Sequence, residues 1–509
     1  MSAPALFDLP APAPAPASAP VAAVPATFRR SGITVLSYGL GADSTAILLM
    51  FLADPERYGL RADLSDLVVV HAVTGDEWPD SLSYVDQLVL PLLRRARVRL
   101  VQIARGGPED ADGVVILDDS RQPRRIFAQG PWRLSDELRA AGTVPQMANG
   151  RRTCSIKFKG WCLDLWASHE FGTSSFRRAI GYHAGEMGRA EKDTGIQRRL
   201  NAEAGRTICE PHYPLILAAM DRTAVEAYVL EQLGEPIRKS YCAQCPFSGV
   251  CASRDAHEER LRAHPHVAAD VLRMEYVSQA LNERVALYGT TSLRKRLTED
   301  GANTAVLDAF AVSLDQAPHA VYEVRRIYFA ARTEECRRWH GGSCRAPRWW
   351  CRQPRTEECV QGHPAGRFEP WCSGYWDSCR GQAKKGQAWR SVRTVFEGTR
   401  RSAETYVRAM AVAYDMRLER GEHSGIERAH YMTAGDSYPT ASAYLVAASA
   451  GVHDKQRPRF EERFTQLTGR VGTVGTPLRE LPEPAPRRRT GGAPVIRRAK
   501  TIGGVMLIA

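Results

Sequence analysis

The chain has 509 residues, of which 44% are hydrophobic and 25% charged, and its formal net charge is +12. No apolar run approaches the length of a membrane-spanning helix, so the composition excludes an integral membrane protein and indicates a globular chain of about two to four domains. The positive charge favours a polyanionic partner, although a solvated arginine-rich surface gives the same composition. We expect a cytoplasmic protein without membrane association, whose 12 cysteines are reduced thiols or metal ligands.

The two ends of the chain differ from its middle. Residues 1–30 repeat proline and alanine, which prevents a helix and predicts an extended, disordered tail. Residues 456–509 are expected to be a largely flexible basic tail. From Pro484 onward this tail carries no acidic residue and the basic residues Arg487, Arg488, Arg489, Arg497, Arg498 and Lys500. Such a tail can hold nucleic acid through phosphate contacts or simply keep the chain soluble.

Residues 31–290 show strands that alternate with helices. Apolar runs predict strands, and apolar residues at helical spacing predict the helices between them. The predicted elements are a strand at 33–36, a helix from 43, a strand at 66–72, a helix at 80–95, and strands at 97–103 and 178–182. This alternation predicts an α/β fold with a doubly wound parallel sheet, in which ligands bind at the carboxyl ends of the strands.

Further helices are expected later in the chain. One should begin near Asp221, where Thr223 and Glu226 have capping-box spacing, and another should cover 253–283 with a break at Pro265. Residues 291–455 are expected to form a second, mainly helical domain. Its helices are predicted at 305–333 and 388–420, on either side of a segment rich in Cys, Trp and Arg.

The loop between the first strand and its helix has the composition of an anion-binding turn. Gly39 and Gly41 allow close backbone approach, and the helix that begins at Asp43 adds partial positive charge. Simple packing of a glycine turn against a helix is the alternative. The ligand expected in this turn is a phosphate group.

Four further segments follow this loop in the chain. The segments are Thr74–Trp78, Arg151–Lys159, Ile180–Arg189 and Tyr241–Phe247. Together with Gly39–Ser44, their order resembles the PP-loop ATP pyrophosphatase superfamily, and within it the phosphoadenosine-phosphosulfate (PAPS) reductase-like branch. The resemblance covers about residues 31–250 and implies the adenine nucleotide alpha hydrolase-like fold. Two positions depart from the family loop, because Gly39 replaces its leading serine, unless Ser37 takes that role, and Leu40 replaces a glycine.

The resemblance implies roles for residues in these segments. The residues expected to bind the nucleotide or its phosphates are Ser37, Gly39, Gly41, Asp43, Ser44, Thr45, Arg152, Lys157, Glu186 and Arg189, with Asp43, Ser44 and Cys154 as catalytic residues. Arg152 and Lys157 could also lie on a solvated basic loop, and Glu186 and Arg189 could form a surface ion pair. Asp76 and Glu77 are candidates to hold the Mg²⁺ of ATP, the alternative being a simple acidic turn.

Two groups of cysteines are candidate metal ligands. Cys242 and Cys245 are separated by two residues, a spacing suited to soft metals or to redox chemistry. By resemblance, Cys154, Cys242, Cys245 and Cys251 are a candidate four-thiolate set for a [4Fe–4S] cluster or zinc, with Cys162 or Cys209 as other fourth ligands. A second group comprises Cys336, His340, Cys344, Cys351, Cys359, Cys372 and Cys379, which suits structural zinc, buried thiols or disulfides. The tryptophans and arginines among them suit nucleic-acid binding or a small cation–π core.

Three functions are compatible with these features. The first is an enzyme that binds ATP with Mg²⁺, adenylates a substrate with release of pyrophosphate, and so prepares it for sulfur transfer from a donor protein, with nucleic acid as one candidate substrate. The second is reduction of a sulfonucleotide such as PAPS, although the last cysteine is Cys379 and the reductases' terminal cysteine motif is absent. The third is a non-catalytic nucleotide- or nucleic-acid-binding module.

Overall fold

The structure is a computed structural model that describes residues 32–145, 152–248, 253–330, 385–435 and 438–469, together with the backbone of residues 495 and 496. The chain divides into two compact units. Unit 1 comprises 1–134, 152–242 and 491–509, and unit 2 comprises 135–151 and 243–490. This division differs from the boundary near residue 290 expected from the sequence, because the helices over 254–281 pack with later elements.

Unit 1 is built on a mostly parallel sheet. Its strands are β1 (Thr34–Ser37), β2 (Leu67–Val73), β3 (Arg99–Arg105), β4 (Val114–Ser120), β5 (Phe176–Ala179) and β6 (Cys209–His212). They lie in the order β4-β3-β2-β1-β5-β6, with β4 antiparallel to β3 and the others parallel. A two-residue strand, Val495–Ile496, pairs with β4 at the sheet edge. The α/β class expected from the sequence is therefore confirmed.

Helices connect these strands. They are α1 (Ala42–Ala53), α2 (Pro79–Tyr84), α3 (Leu90–Ala96), α4 (Leu134–Ala141), α5 (Thr153–Ser155), α6 (Trp161–Phe171), α7 (Met187–Glu203), α8 (Pro214–Leu217) and α9 (Arg222–Leu233), although all of α4 after Leu134 belongs to unit 2. A π-helical turn at 85–89 joins α2 to α3, and a second one at 156–160 joins α5 to α6. None of the helices in the described ranges is both long and apolar enough to cross a membrane.

The sheet of unit 1 is covered by hydrophobic side chains on both faces. Leu36 and Val69 point to one face, where they pack with α1, α3 and α9. Val35 and Val70 point to the other face, where they pack with Trp166 of α6 and other apolar residues. The three central strands β1, β2 and β3 are buried on both sides and are mostly apolar in sequence, which is why they could be predicted.

Other elements differ from the sequence prediction in detail. The fourth predicted strand begins two residues earlier, at Phe176, and ends at Ala179. β4 was not predicted, because it ends in the polar residues Asp118, Asp119 and Ser120. The helix expected near Asp221 is α9, and its N-cap is Asp221 rather than Thr223, because the Asp221 side chain accepts the Ala224 N–H at 2.8 Å.

Unit 2 contains a five-stranded antiparallel sheet. Its strands are β7 (His319–Ala330), β8 (Lys385–Gly398), β9 (Arg417–Arg420), β10 (Glu427–Met432) and β11 (Thr440–Ser449), in the order β8-β7-β11-β10-β9. Its helices are α10 (Arg254–Ala263), α11 (Pro265–Leu281), α12 (Leu293–Glu299), α13 (Thr304–Gln316), α14 (Arg400–Ala413) and α15 (Phe460–Thr468). The first two confirm the helical segment predicted at 253–283, with its break at Pro265.

The mainly helical second domain predicted from the sequence is wrong for the described part of residues 291–455. The helices expected at 305–333 and 388–420 each contain a strand, because β7 begins at His319 and β8 runs to Gly398. The β-branched and aromatic residues of β7 (HAVYEVRRIYFA) favour an extended chain. Almost all of its side chains are buried, as expected for a strand of a sheet that is covered on both faces. α15 also lies within the segment expected to be largely flexible.

Helices cover both faces of this second sheet. Val321, Leu445 and Ala447 pack against α14 on one face. On the other face, the Tyr444 hydroxyl donates a 2.6 Å hydrogen bond to the carbonyl of Leu281, at the end of α11. Unit 2 is therefore an α+β unit with its own core. The segment with the second cysteine group, at 331–384, and the two predicted tails lie outside the described residues, apart from residues 456–469 and the backbone at 495 and 496.

Candidate functional site

The strand order of unit 1 locates a candidate ligand site. β1 is paired with β2 on one side and with β5 on the other, so the connections leave β1 and β5 in opposite directions along the sheet. In open α/β sheets, ligands bind in the crevice at such a switch point, beyond the carboxyl ends of the strands. The loop at 38–41 after β1 and the loop at 180–186 after β5 both lie there.

The turn between β1 and α1 contains a left-handed residue that is not glycine. Leu40 has a φ of +59°, a left-handed conformation that glycine adopts easily and leucine at a cost of about 1–2 kcal/mol. Its side chain is 1% exposed and packs in the core with Ile47 and Leu48 of α1. Burial of Leu40 therefore offsets the unfavourable backbone conformation.

Hydrogen bonds within the turn hold its backbone in place. The Ser44 hydroxyl donates to the Gly41 carbonyl and accepts the Gly39 N–H, both at 3.2 Å. The Ser240 hydroxyl donates to the Gly39 carbonyl at 2.5 Å. A Cβ on Gly41 would lie 3.1 Å from the Cβ of Ser240, so this glycine allows the close packing. Ser44 thus shapes the turn with its side chain.

Thr45 and Ser37 occupy different positions relative to the turn. Thr45 is fully buried, and its hydroxyl lies 3.1 Å from the hydroxyl of Tyr38, so this side chain belongs to the core. Ser37, at the end of β1, lines a cavity beside the turn. Of these two residues, both expected near phosphate, Ser37 lines the cavity and Thr45 does not.

Gly181 brings the loop after β5 against the first turn of α1. A Cβ built on this glycine would lie 2.8 Å from the Cβ of Asp43 and 3.2 Å from the backbone nitrogen of Ser44. Any larger residue would push the two loops apart. The two loops of the switch point therefore meet at this contact.

The Asp43 carboxyl group experiences opposing effects on its pKa. Burial raises the pKa of its carboxyl group, and the positive charge of Arg222 and the nearby His183 oppose that shift. Arg222, on the first turn of α9, donates to Oδ2 of Asp43 at 3.0 Å. The other oxygen, Oδ1, is buried and has no hydrogen-bond partner among the described residues. Arg222 was not predicted, since it is distant from Asp43 in the sequence.

A cavity of about 250 Å³ lies beside this turn. Apolar residues, most of them from the sheet and from α6, form one part of its wall. Polar residues, among them the carboxylate of Asp164 on α6, and two glycines form the rest. The apolar group is Val35, Val70, Ala72, Leu163, Trp166, Ala167, Phe176 and Ile180, and the polar group is Ser37, Tyr38, Gly39, Ser155, Lys159, Gly160, Asp164, Arg178, Tyr182 and Arg189. The cavity thus combines an apolar wall with groups able to bind an anion.

The cations that line the cavity differ in how they are compensated. Arg178 donates to both carboxylate oxygens of Asp193 at 2.9 Å. Arg189 pairs with Glu186, as its spacing allowed, and its guanidinium lies 4.6 Å from the centre of the Tyr182 ring. Lys159 forms no salt bridge within the described residues, and its ammonium group is therefore the cation most available to an anionic ligand.

The basic segment that was predicted to bind phosphate contributes other residues than expected. Lys157, Arg152 and Cys154 do not line the cavity, whereas Ser155 and Lys159 of the same segment do. The segment turns through the π-helical turn at 156–160, which changes the direction in which successive side chains point. Sequence spacing alone could not distinguish the two lysines.

The acidic turn after β2 is held by one of its own side chains. The Glu77 carboxylate accepts the N–H groups of Thr74, Gly75 and Asp76 at 3.1–3.2 Å, and the Thr74 hydroxyl at 2.7 Å. These four bonds occupy both oxygens of Glu77. The side chain therefore positions the turn.

Cys242 lies next to this acidic turn. Its sulfur is 3.3 Å from the Thr74 hydroxyl, and burial raises the pKa of its thiol, with the charge of Glu77 acting in the same direction and that of Lys159 opposing it. The Cys242 thiol therefore stays protonated at neutral pH. The Cys-x-x-Cys segment thus begins at the edge of the sheet where the cavity lies.

The predicted cluster ligands are not assembled in the described part of the chain. There, no group of three or more His, Cys, Asp or Glu side chains could hold a metal ion. Cys251 lies outside the described residues. Cys162 and Cys209 are fully buried in the apolar core, where burial raises the pKa of each thiol to about 12. A [4Fe–4S] or zinc site stays a prediction, and no reaction step is derived through it.

A scan against protein-family models and searches of curated proteins and of solved structures each found no match to this chain. The function of the protein must therefore be inferred from this chain's own residues.

The conformation of Leu40 predicts an unusual order of stability. Leu40→Ala and Leu40→Gly both remove a buried side chain and should each lower the free energy of unfolding by about 2–4 kcal/mol. Because φ is positive, the glycine variant should be more stable than the alanine variant by about 1 kcal/mol. Leu48, equally buried within α1, is the control. There the alanine variant should have a free energy of unfolding about 1 kcal/mol higher than the glycine variant. Urea denaturation measures the stability of all four variants. The same order of the alanine and glycine variants at both positions would contradict a strained left-handed conformation of Leu40.

The contact of Gly181 with Asp43 predicts a strong effect of one added methyl group. Gly181→Ala should lower the free energy of unfolding by about 1–3 kcal/mol, because the Cβ overlaps α1. Gly195→Ala is the matched control, since nothing lies within 4 Å of a Cβ at that position in α7. It should raise stability by about 0.5–1 kcal/mol. Equal thermal unfolding of the two variants would show that the two loops do not meet.

Proposed function

We propose that unit 1 binds ATP or a sulfonucleotide at the switch point of its sheet. We further propose that it adenylates a substrate for sulfur transfer, with nucleic acid as one candidate substrate. The observation that carries this proposal is the cavity beside the turn at 38–41, in which Lys159 is a cation without a salt-bridge partner among the described residues. The five segments that resemble the PAPS reductase-like PP-loop enzymes support it from the sequence.

The two parts of the cavity suit the two parts of a nucleotide. Its apolar wall, which includes Val35 and Phe176, suits a purine base. Its polar part suits phosphates, because Lys159 and the backbone N–H groups of the turn are donors near the start of α1. Arg178 and Arg189 are already paired with carboxylates, so they contribute less positive charge to a ligand than Lys159.

The proposed chemistry needs few protein groups. A substrate oxygen attacks the α-phosphorus of ATP, the bond to the bridging oxygen breaks, and pyrophosphate leaves with the electron pair. A sulfur nucleophile from a donor protein then displaces AMP. Backbone amides and Lys159 would stabilise the charge that builds up on the leaving pyrophosphate. Mg²⁺ brought by ATP would neutralise phosphate charge, and Oδ1 of Asp43, which has no hydrogen-bond partner among the described residues, is the oxygen that we propose to hold it.

The uncompensated charge of Lys159 predicts which lysine binds the nucleotide. Lys159→Gln should weaken binding of a non-hydrolysable ATP analogue by about tenfold or more, because a charge-assisted hydrogen bond is lost. Lys157→Gln should change the affinity by less than about twofold, although the sequence favoured this residue. Calorimetric titration measures both. Loss of affinity in the Lys157 variant alone would remove Lys159 from the site.

Release of product distinguishes the candidate reactions. The proposal predicts release of pyrophosphate from ATP when a competent substrate is present, and Asp43→Asn should abolish it while analogue binding persists. Release of sulfite from PAPS without pyrophosphate release would indicate the sulfonucleotide reductase instead. Binding of ATP without either product would indicate a non-catalytic module. An unchanged rate of pyrophosphate release in Asp43→Asn would exclude that carboxylate from the reaction.

A further inference from the structure

A second cavity, of about 200 Å³, lies within unit 2. It is formed by one side of α14, the start of α12 and the turn at 421–426 that connects β9 to β10. Its charged lining residues are Arg294, Arg400, Glu404, Arg408, Arg420 and Glu427. Four guanidinium groups thus face this cavity together with two carboxylates.

Two of these arginines are neutralised by neighbouring acids. Arg400 donates to Glu404 at 3.1 Å and to Asp315 at 3.0 Å. Arg408 donates to Glu427 at 2.7 Å. These pairs form one side of the cavity and leave little charge for a ligand.

The other two arginines are held by main-chain carbonyls. Nη1 of Arg294 donates to the carbonyl of Ser424 at 2.8 Å, and Nε of Arg420 donates to the carbonyl of Gly425 at 3.0 Å. Neither arginine has a carboxylate within salt-bridge distance in the described part of the chain. Each guanidinium carries five N–H donors, so both keep most of their donors for another acceptor.

The turn that anchors both arginines is itself fixed by a carboxylate. Glu283 accepts the N–H groups of His423 and Ser424 at 2.9 Å and the Ser424 hydroxyl at 2.6 Å. Burial opposes ionisation of Glu283, but the bonds from Ser424 and the charge of Arg428 outweigh it and lower the pKa. A Cβ at position 421 would lie 2.3 Å from an oxygen of Glu283, so Gly421 allows this approach. The donors are therefore preorganised.

A buried carboxylate positions the start of α12 without neutralising Arg294. Glu275 accepts the N–H groups of Leu287 and Leu293 at 2.9 Å and that of Arg294 at 3.0 Å. Burial raises the pKa of Glu275, and these bonds and the charge of Arg294 partly oppose that shift. Glu275 does not line the cavity and forms no salt bridge with the Arg294 guanidinium.

We propose that this cavity binds a phosphoryl group, with Arg294 and Arg420 as its principal donors. A phosphoryl group offers three acceptor oxygens and up to two negative charges, which suits two guanidinium groups with spare donors. The group could belong to the backbone of a nucleic acid or to a free phosphate compound, and both present the same chemistry. This site lies in unit 2 and does not depend on the nucleotide site proposed in unit 1.

Hydrogen–deuterium exchange on the full chain locates the binding. Pyrophosphate and a single-stranded oligonucleotide are added in separate experiments. The peptides that cover 400–408 and 420–427 should become protected by at least one of them. Protection by pyrophosphate indicates a free phosphate compound, and protection by the oligonucleotide alone indicates a polymer. If neither probe protects these peptides at millimolar concentration, the proposal is overturned. Pyrophosphate bound at the nucleotide site would protect peptides near residue 40 instead, so the two proposals fail separately.

A charge-matched pair of variants tests the named residues. Arg294→Gln with Arg420→Gln should weaken the probe affinity, read from protection of 420–427, by about tenfold or more. Arg417→Gln with Arg459→Gln removes the same charge from exposed positions outside the cavity, where each arginine pairs with a nearby glutamate. The control should change the affinity by less than about threefold. An equal loss of probe affinity in the two double variants would show only nonspecific electrostatic attraction, and it would contradict the proposal of a phosphoryl site in this cavity. Arg420→Gln alone, on an edge strand, repeats the test should loss of Arg294 loosen the turn.

Discussion

The close contact between Gly181 and the first turn of α1 is the constraint on which the candidate site depends. With no side chain at Gly181, the loop after β5 reaches within van der Waals distance of Asp43 and Ser44. The strand order places the two loops side by side, and this contact holds them together. On the other side of the turn, the buried side chain of Leu40 keeps the backbone in a left-handed conformation. The turn is thus held by packing from both sides rather than by glycine alone.

The same region contains two kinds of residue: those whose side chains hold the backbone of the site in shape and those able to bind a ligand. Ser44, Ser240 and Glu77 form hydrogen bonds to the backbone of the two turns, and these bonds occupy their side chains. Lys159 and Asp43 differ from these residues. Within the described part of the chain, Lys159 forms no salt bridge, and the buried Oδ1 of Asp43 has no hydrogen-bond partner. The proposed chemistry rests on these two residues. Unit 2 shows a parallel distinction, since Glu283 and Glu275 position a turn and a helix while Arg294 and Arg420 keep donors that have no partner among the described residues.

The sequence predicted the features that depend on local patterns. Apolar runs located β1, β2 and β3, and the glycine-rich loop located the turn at the sheet edge. Local sequence patterns did not predict the features that depend on tertiary packing. The predicted helix over β7 was wrong because β7 is buried on both faces and lacks a simple polar alternation; β8, a partly exposed edge strand, was missed as well. Arg222 and Arg178 could not be identified, since their positions near Asp43 and the cavity arise from tertiary packing. The sequence also could not show that Lys159, rather than Lys157, lines the cavity, since a π-helical turn lies between the two helices of this segment.

The central claim is that the turn after β1 and Lys159 together bind the phosphates of a nucleotide. A crystal structure with a non-hydrolysable ATP analogue tests it most directly. We expect phosphate oxygens within hydrogen-bond distance of backbone N–H groups at 39–44 and of the Lys159 ammonium, with the base against the apolar wall. A nucleotide bound elsewhere, or an empty cavity in crystals soaked at a saturating concentration, would contradict it.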